Sequence, residues 1–66
     1  MFVNLMLEML IHNISVNEIS NGLGITEYDV IRKLKNELII TCAEAVTIKR
    51  IIGSELPLEE LFEVVE

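Results

Sequence analysis

Four side chains at helical spacing are of the types that contact a nucleic-acid duplex: Tyr28, Ile31, Arg32 and Lys35. Residues at i, i+3, i+4 and i+7 share one face of a helix, so these four side chains project together. An arginine donates two hydrogen bonds to the edge of a guanine, whereas Lys35 and Asn36 suit phosphate oxygens. The alternative is a solvated helix face on which Tyr28 and Arg32 only pair with each other.

Residues 15–36 predict two helices joined by a tight turn, and the second helix would carry this face. Gly24 stands at the reversal, where glycine adopts positive φ without steric cost, and Ile25 fills the turn. We assign Gly22 to the same turn. The apolar stripes of the two helices are expected from Ile19, Leu23, Val30 and Leu34. A capping box is expected at the start of each helix, from the pairs Ser15–Glu18 and Thr26–Asp29. This pattern is typical of a helix-turn-helix, whose second helix enters a DNA major groove.

The whole chain, residues 1–66, predicts one compact all-α domain of five helices. Apolar periodicity places them at about 4–12, 16–22, 27–35, 42–52 and 57–64. We expect Asn4 to cap the first helix, Thr41 to cap the fourth, Gly53 to end the fourth and Pro57 to open the last. The segment 38–40 has the residue types of a short strand, although Thr41 favours a helix directly after it.

The charge of the chain is unfavourable for binding nucleic acid, because such binding depends largely on neutralising phosphates. The net charge is −6 over 66 residues. Five of the acidic residues lie in the tail 55–66, which has no basic residue. Residues 1–54 contain all five basic residues and six acidic ones, a net charge of −1. The body is therefore nearly neutral, and an acidic tail facing away from DNA would weaken binding without preventing it.

The first helix is apolar on every side except at Glu8. An ordinary surface helix has a single apolar stripe, which Leu5 and Met9 would supply here. We expect an exposed protein interface, for a second copy or another protein, formed by Phe2, Met6, Leu10 and Ile11. The alternative is a wide core face closed by the last helix.

The residue types that support catalysis, metal binding or cofactor binding do not form a recognisable set. His12 has no second ligand at metal-binding spacing, and no glycine-rich phosphate loop or nucleophile triad is present. The single cysteine, Cys42, excludes an internal disulfide and fits a reducing compartment. We expect no enzyme activity, no catalytic or metal site, no cofactor, no small-molecule ligand, no membrane span and no signal peptide.

The order of these motifs resembles the phage repressor and Cro family of helix-turn-helix proteins over nearly the whole chain. The central resemblance is Leu23-Gly24-Ile25-Thr26 with Val30. Arg32-Lys33-Leu34-Lys35-Asn36 is similar to the family's "RKLNG", and residues 58–62 to its "LEELF". Ile40-Thr41, Glu44-Ala45 and Ile48 resemble its "FTLDEALKI". The resemblance implies a transcriptional regulator in the cytoplasm of a bacterial host, which binds double-stranded operator DNA as a homodimer.

The same resemblance implies specific DNA contacts. Base edges would be contacted by Thr26, Glu27, Tyr28, Ile31 and Arg32, and phosphates by Ser15, Lys35 and Asn36. A dimer would read two half-sites about one helical turn apart.

Three departures from the family support a second hypothesis. Val16 replaces a glutamine that contacts phosphate, and apolar residues replace basic ones in the first helix. Glu27 and Asp29 place two acids at the start of the reading helix. One acid is compatible with base readout, because glutamate accepts a hydrogen bond from cytosine N4, but two acids near phosphates are costly. The second hypothesis is an antirepressor or modulator, which uses the same fold to bind another phage repressor instead of DNA.

Overall fold

Five helices surround one apolar core in the computed structural model, which describes residues 2–64. They are α1 (Val3–Ile11), α2 (Val16–Leu23), α3 (Glu27–Leu34), α4 (Cys42–Ile52) and α5 (Leu58–Leu61). The described residues contain no strand, so the all-α class is confirmed and the segment 38–40 is irregular. Glu66, one of the tail carboxylates, lies outside the described residues.

The starts of α2 and α3 are capped by hydroxyl side chains. Ser15 and Glu18 form a full capping box: Glu18 N donates to Ser15 Oγ at 3.2 Å and Ser15 N to Glu18 Oε2 at 2.9 Å. Thr26 Oγ1 accepts from Asp29 N at 3.1 Å, but no reciprocal bond forms. The second predicted box is therefore only half present, because aspartate is one methylene shorter than the glutamate this motif requires.

A residue with positive φ follows each of the helices α1 to α4, and there the chain leaves the helical path. Gly24 and Gly53 are the C-caps of α2 and α4, at φ 71° and 74°. Asn13 and Asn36 have φ 56° and 62°, and asparagine is one of the few other residues that tolerate this region. Gly22 has a different role from the predicted one. It lies within α2, where a Cβ would meet the side chain of Ile51 in α4.

The core takes at least one residue from every helix. Its buried apolar side chains are Phe2, Leu5, Met9, Ile19, Val30, Ile48, Ile52 and Leu61. The prediction that Phe2 lies on an exposed interface is wrong. Phe2 is buried, and its ring packs edge-on against Phe62 with centroids 5.7 Å apart.

The first and last helices differ from the sequence predictions. α1 begins at Val3 rather than after Asn4, and Asn4 Nδ2 instead donates to the Glu60 carbonyl at 2.8 Å, which ties α1 to α5. α5 has four residues and ends at Leu61, short of Val64. Glu59 and Glu63 lie four residues apart, and like charges at this spacing disfavour a further helical turn.

Candidate nucleic-acid interface

The turn between α2 and α3 is fixed by hydrogen bonds and by burial. Ser20, in α2, donates its hydroxyl proton to the Ile25 carbonyl, and Ile25 N donates to Ser20 O at 3.2 Å. Ile19 and Val30 are buried on the inner faces of the two helices. This arrangement holds α3 by its inner face, so that its outer face is presented to solvent.

The outer face of α3 contains three of the predicted base-contacting residues. Tyr28 is 69% exposed and Ile31 is also exposed, while Arg32 is half-buried. The Arg32 guanidinium lies 5.8 Å from the centroid of the Tyr28 ring, within range of a cation–π interaction. The Tyr28 ring thus restrains the Arg32 guanidinium, whose planar donors have the geometry that suits the edge of a guanine.

The predicted phosphate-binding residues are exposed, but they do not form a single cluster. Lys35 is the C-cap of α3, and Asn36 follows it in a left-handed conformation. Ser15 lines one groove together with Leu34, whereas Asn36 lines a different groove. The Ser15 and Thr26 hydroxyls each accept a capping bond, and each keeps an O–H donor that a phosphate oxygen could accept.

Glu27 is fixed by a contact that the sequence did not predict. Asn17 Nδ2 in α2 donates to Glu27 Oε1 at 2.8 Å, and Asn21 Nδ2 donates to Asn17 Oδ1 at 3.2 Å. The carboxylate is therefore held at the start of α3 as a fixed hydrogen-bond acceptor. Asn17 lies ten residues from Glu27, so no helical spacing in the sequence could indicate the pair.

Lys33 does not add positive charge to the outer face of α3. Its ammonium lies 3.0 Å from Glu44 Oε1 and also donates to the Ile39 carbonyl at 2.8 Å. The other basic residues of this region are the half-buried Arg32 and the exposed Lys35, and they are accompanied by the acids Glu27, Asp29 and Glu37. The surface around α3 therefore has no strongly basic patch.

The pKa of the Glu44 carboxyl is lowered by the hydrogen bonds that it accepts. The largest cause is the hydrogen bond from the Thr41 backbone N–H, followed by the bond from the Lys33 ammonium. Since the folded state favours the ionised form, Glu44 stabilises the fold at neutral pH, above the pKa of the unfolded chain. This contribution is lost as pH falls through the lowered pKa of the folded state.

We therefore expect Glu44→Gln to reduce the free energy of unfolding at pH 7, because glutamine cannot form the charged contact with Lys33. The difference from the native chain should shrink towards zero as the pH is lowered. Urea denaturation across a pH series measures both quantities. Glu37→Gln removes the same charge from an exposed position and is the matched control. A pH-independent difference for Glu44→Gln would contradict this account.

The outer side of α1 is apolar and exposed, as predicted for Met6, Leu10 and Ile11. Leu7 belongs to the same surface and was missed. Leu7 lies one helical turn before Ile11, and this spacing indicates that the two side chains share one side of α1. Phe2, the fourth predicted interface residue, is in the core instead.

The remaining residues that could bind a metal or react do not come together in a site within residues 2–64. Within residues 2–64, no three His, Cys, Asp or Glu side chains are placed to hold a metal ion. His12 Nε2 lies 3.7 Å from Glu8 Oε1, and Cys42 is an exposed thiol. None of the described helices combines the length and apolar character needed to cross a membrane.

Comparisons with protein-family models, curated proteins and solved structures each find no match to this chain. The sequence pattern and the geometry of α1 to α5 are therefore the observations on which a function can be argued. The two surfaces that stand out are the outer face of α3 and the apolar side of α1.

Proposed function

We propose that this chain is a phage-type transcriptional regulator with a repressor-like helix-turn-helix, which binds operator DNA by inserting α3 into the major groove. The observation that carries the proposal is the exposed outer face of α3, held outward by the fixed turn at Gly24. Short, rigidly oriented helices of this kind read base edges in the major groove.

In this proposal, each residue of α3 recognises a different DNA base. Arg32 donates to guanine O6 and N7, and Ile31 and Tyr28 make apolar contacts with thymine methyl groups. Glu27 accepts from cytosine N4, because Asn17 leaves its second carboxylate oxygen available. The hydroxyl of Thr26 lies beside these groups at the N-cap, and the phosphate contacts come from Ser15, Lys35 and Asn36.

Because this surface has few free basic residues, salt titration tests the proposal directly. Purified protein is titrated with duplex DNA from the intergenic region of its own operon, over a range of salt concentrations. Site-specific binding whose affinity falls as salt rises is the expected result, because each phosphate neutralised by a basic side chain releases counterions. A folded protein that binds no DNA even at low salt would reject the proposal.

An antirepressor or modulator is the second candidate, and the apolar side of α1 together with the acidic balance favours it. Such a protein would present α1 to another phage repressor, and it would need no phosphate contacts. The salt titration separates the two functions. Absence of DNA binding, combined with formation of a complex with the repressor of the same phage, would support the modulator.

A further inference from the structure

Two asparagines of α2 and the first residue of α3 form a chain of hydrogen bonds, which we call the α2–α3 network. Asn21 Nδ2 donates to Asn17 Oδ1 at 3.2 Å, and Asn17 Nδ2 donates to Glu27 Oε1 at 2.8 Å. Asn17 and Asn21 lie one turn apart, so both amides are on the same side of α2. All three residues are exposed. Because bonds at the surface compete with water, the network adds little stability, and its main consequence is the position of the Glu27 carboxylate.

The direction of each hydrogen bond in the α2–α3 network is set by Glu27. An ionised carboxylate only accepts hydrogen bonds, so the amino group of the Asn17 side chain faces it. The Asn17 carbonyl oxygen then points the other way, where the amino group of Asn21 donates to it. The two bonds therefore agree in direction, and one arrangement of the amides satisfies both.

Basic side chains do not compete with Asn17 for the Glu27 carboxylate within residues 2–64. The two ion pairs found there involve other acids, Glu8 and Glu44. In this part of the chain, Asn17 is thus the side chain that holds Glu27, and it does so through Oε1. The second carboxylate oxygen, Oε2, remains available to a donor from outside the protein.

A carboxylate that is held in place discriminates between bases more strongly than a mobile one. In the major groove, cytosine presents an amino donor at N4, whereas guanine and thymine present the acceptors O6 and O4. A mobile glutamate turns away from an acceptor and avoids the repulsion, but a glutamate held by a neighbour does not. Holding the side chain also removes part of the rotamer entropy that binding costs. Loss of the network should therefore weaken binding to cytosine and ease binding to the other two bases.

We propose that Asn17 is a specificity-determining residue, which acts through Glu27 to set a preference for cytosine at one base pair of the bound DNA. Asn17 is a positioning residue, since Glu27 makes the contact with the base. Asn21 supports it by orienting the Asn17 amide. The inference rests on the proposed function and adds the physical origin of one part of its sequence preference.

The positioning role of Asn17 is measured first on the protein without DNA. NMR three-bond couplings of the Glu27 side chain report whether χ1 occupies one rotamer or averages over several. The native chain should show one dominant rotamer, and Asn17→Ala should show averaged couplings because the fixed partner is lost. Thr47→Ala is the matched control, since it removes a helical side chain that also donates a hydrogen bond but lies in α4, outside the network. Circular dichroism checks that each variant is folded.

The base preference is measured by fluorescence anisotropy with the duplex found in the salt titration and with versions changed at single base pairs. Glu27→Ala identifies the base pair that Glu27 contacts, as the one at which the preference for cytosine disappears. At that base pair, Asn17→Ala should lower the ratio of affinities for cytosine over guanine or thymine by about threefold to tenfold. Asn21→Ala should have a smaller effect in the same direction, and Thr47→Ala none. In the Glu27→Ala background, Asn17→Ala should leave the remaining preferences unchanged, because Asn17 acts through Glu27.

The inference is supported if Asn17→Ala both releases the Glu27 rotamer and lowers the cytosine preference, with no further effect in the Glu27→Ala background. Unchanged Glu27 couplings in Asn17→Ala overturn it, whether or not DNA is bound. An equal change of preference with and without Glu27 also overturns it, because Asn17 must then act by another route. A chain that binds no DNA specifically rejects the proposed function as well, whereas specific binding that Asn17→Ala leaves unaffected rejects this inference alone.

Discussion

Replacing Arg32 with alanine is expected to lower the affinity for operator DNA by about 1–3 kcal/mol and to relax the preference at one base pair. The reason is that in the proposed complex Arg32 supplies the paired donors for a guanine, and its guanidinium is restrained over the Tyr28 ring. Fluorescence anisotropy with a labelled operator, and with duplexes changed at single base pairs, measures both effects.

Arg50→Ala is the matched control for Arg32→Ala. Arg50 is an exposed arginine in the last turn of α4, so its removal changes the net charge equally without touching α3. Arg32→Lys keeps the charge but loses the planar pair of donors, and should keep part of the affinity while losing the base preference. Equal losses for Arg32→Ala and Arg50→Ala would show that Arg32 contributes only charge.

Leu61→Ala should destabilise the fold by about 2–5 kcal/mol, the usual cost of truncating a buried leucine. Leu61 has no exposed surface and is the only buried residue of α5, a helix too short to form alone. A core of this size supplies only about 3–5 kcal/mol in total. The variant is therefore expected to be largely or partly unfolded at 25 °C.

Urea denaturation followed by circular dichroism measures this loss. Ile39→Ala should change stability by no more than about 0.5 kcal/mol, because it truncates a side chain that is almost fully exposed. A loss below about 1 kcal/mol for Leu61→Ala would mean that α5 docks without this side chain, contrary to the packing described above.

Helix boundaries were predictable wherever the signal is local. α4 begins and ends at the predicted residues, because Thr41 and Glu44 form a capping box at one end and Gly53 is left-handed at the other. α2 and α3 are each within one residue of the prediction, with Ser15, Thr26 and Gly24 supplying the same kinds of signal. Such signals act over three or four residues, within reach of sequence analysis.

The charge of the candidate interface was only partly predictable. The tail's acidity and the near-neutral body can be counted from the sequence. The pairing of Lys33 with Glu44 and of Asn17 with Glu27 cannot, since these partners lie ten or more residues apart and on different helices. Each pairing changes the charge that α3 presents: one neutralises the Lys33 ammonium, and the other fixes the position of the Glu27 carboxylate.

The sequence by itself determined the helical class, the turn at Gly24 and the residues that α3 presents, because caps, left-handed residues and helical spacing are local properties. Only the tertiary structure decided which side of α1 is exposed. Because α1 is apolar on almost all sides, its hydrophobic periodicity does not indicate which side is buried. Contacts with α5, Ser54 and Phe62 decide which side faces the core. Those contacts buried Phe2 and left Leu10 and Ile11 exposed, because packing between distant segments, not helix propensity, selects the buried face.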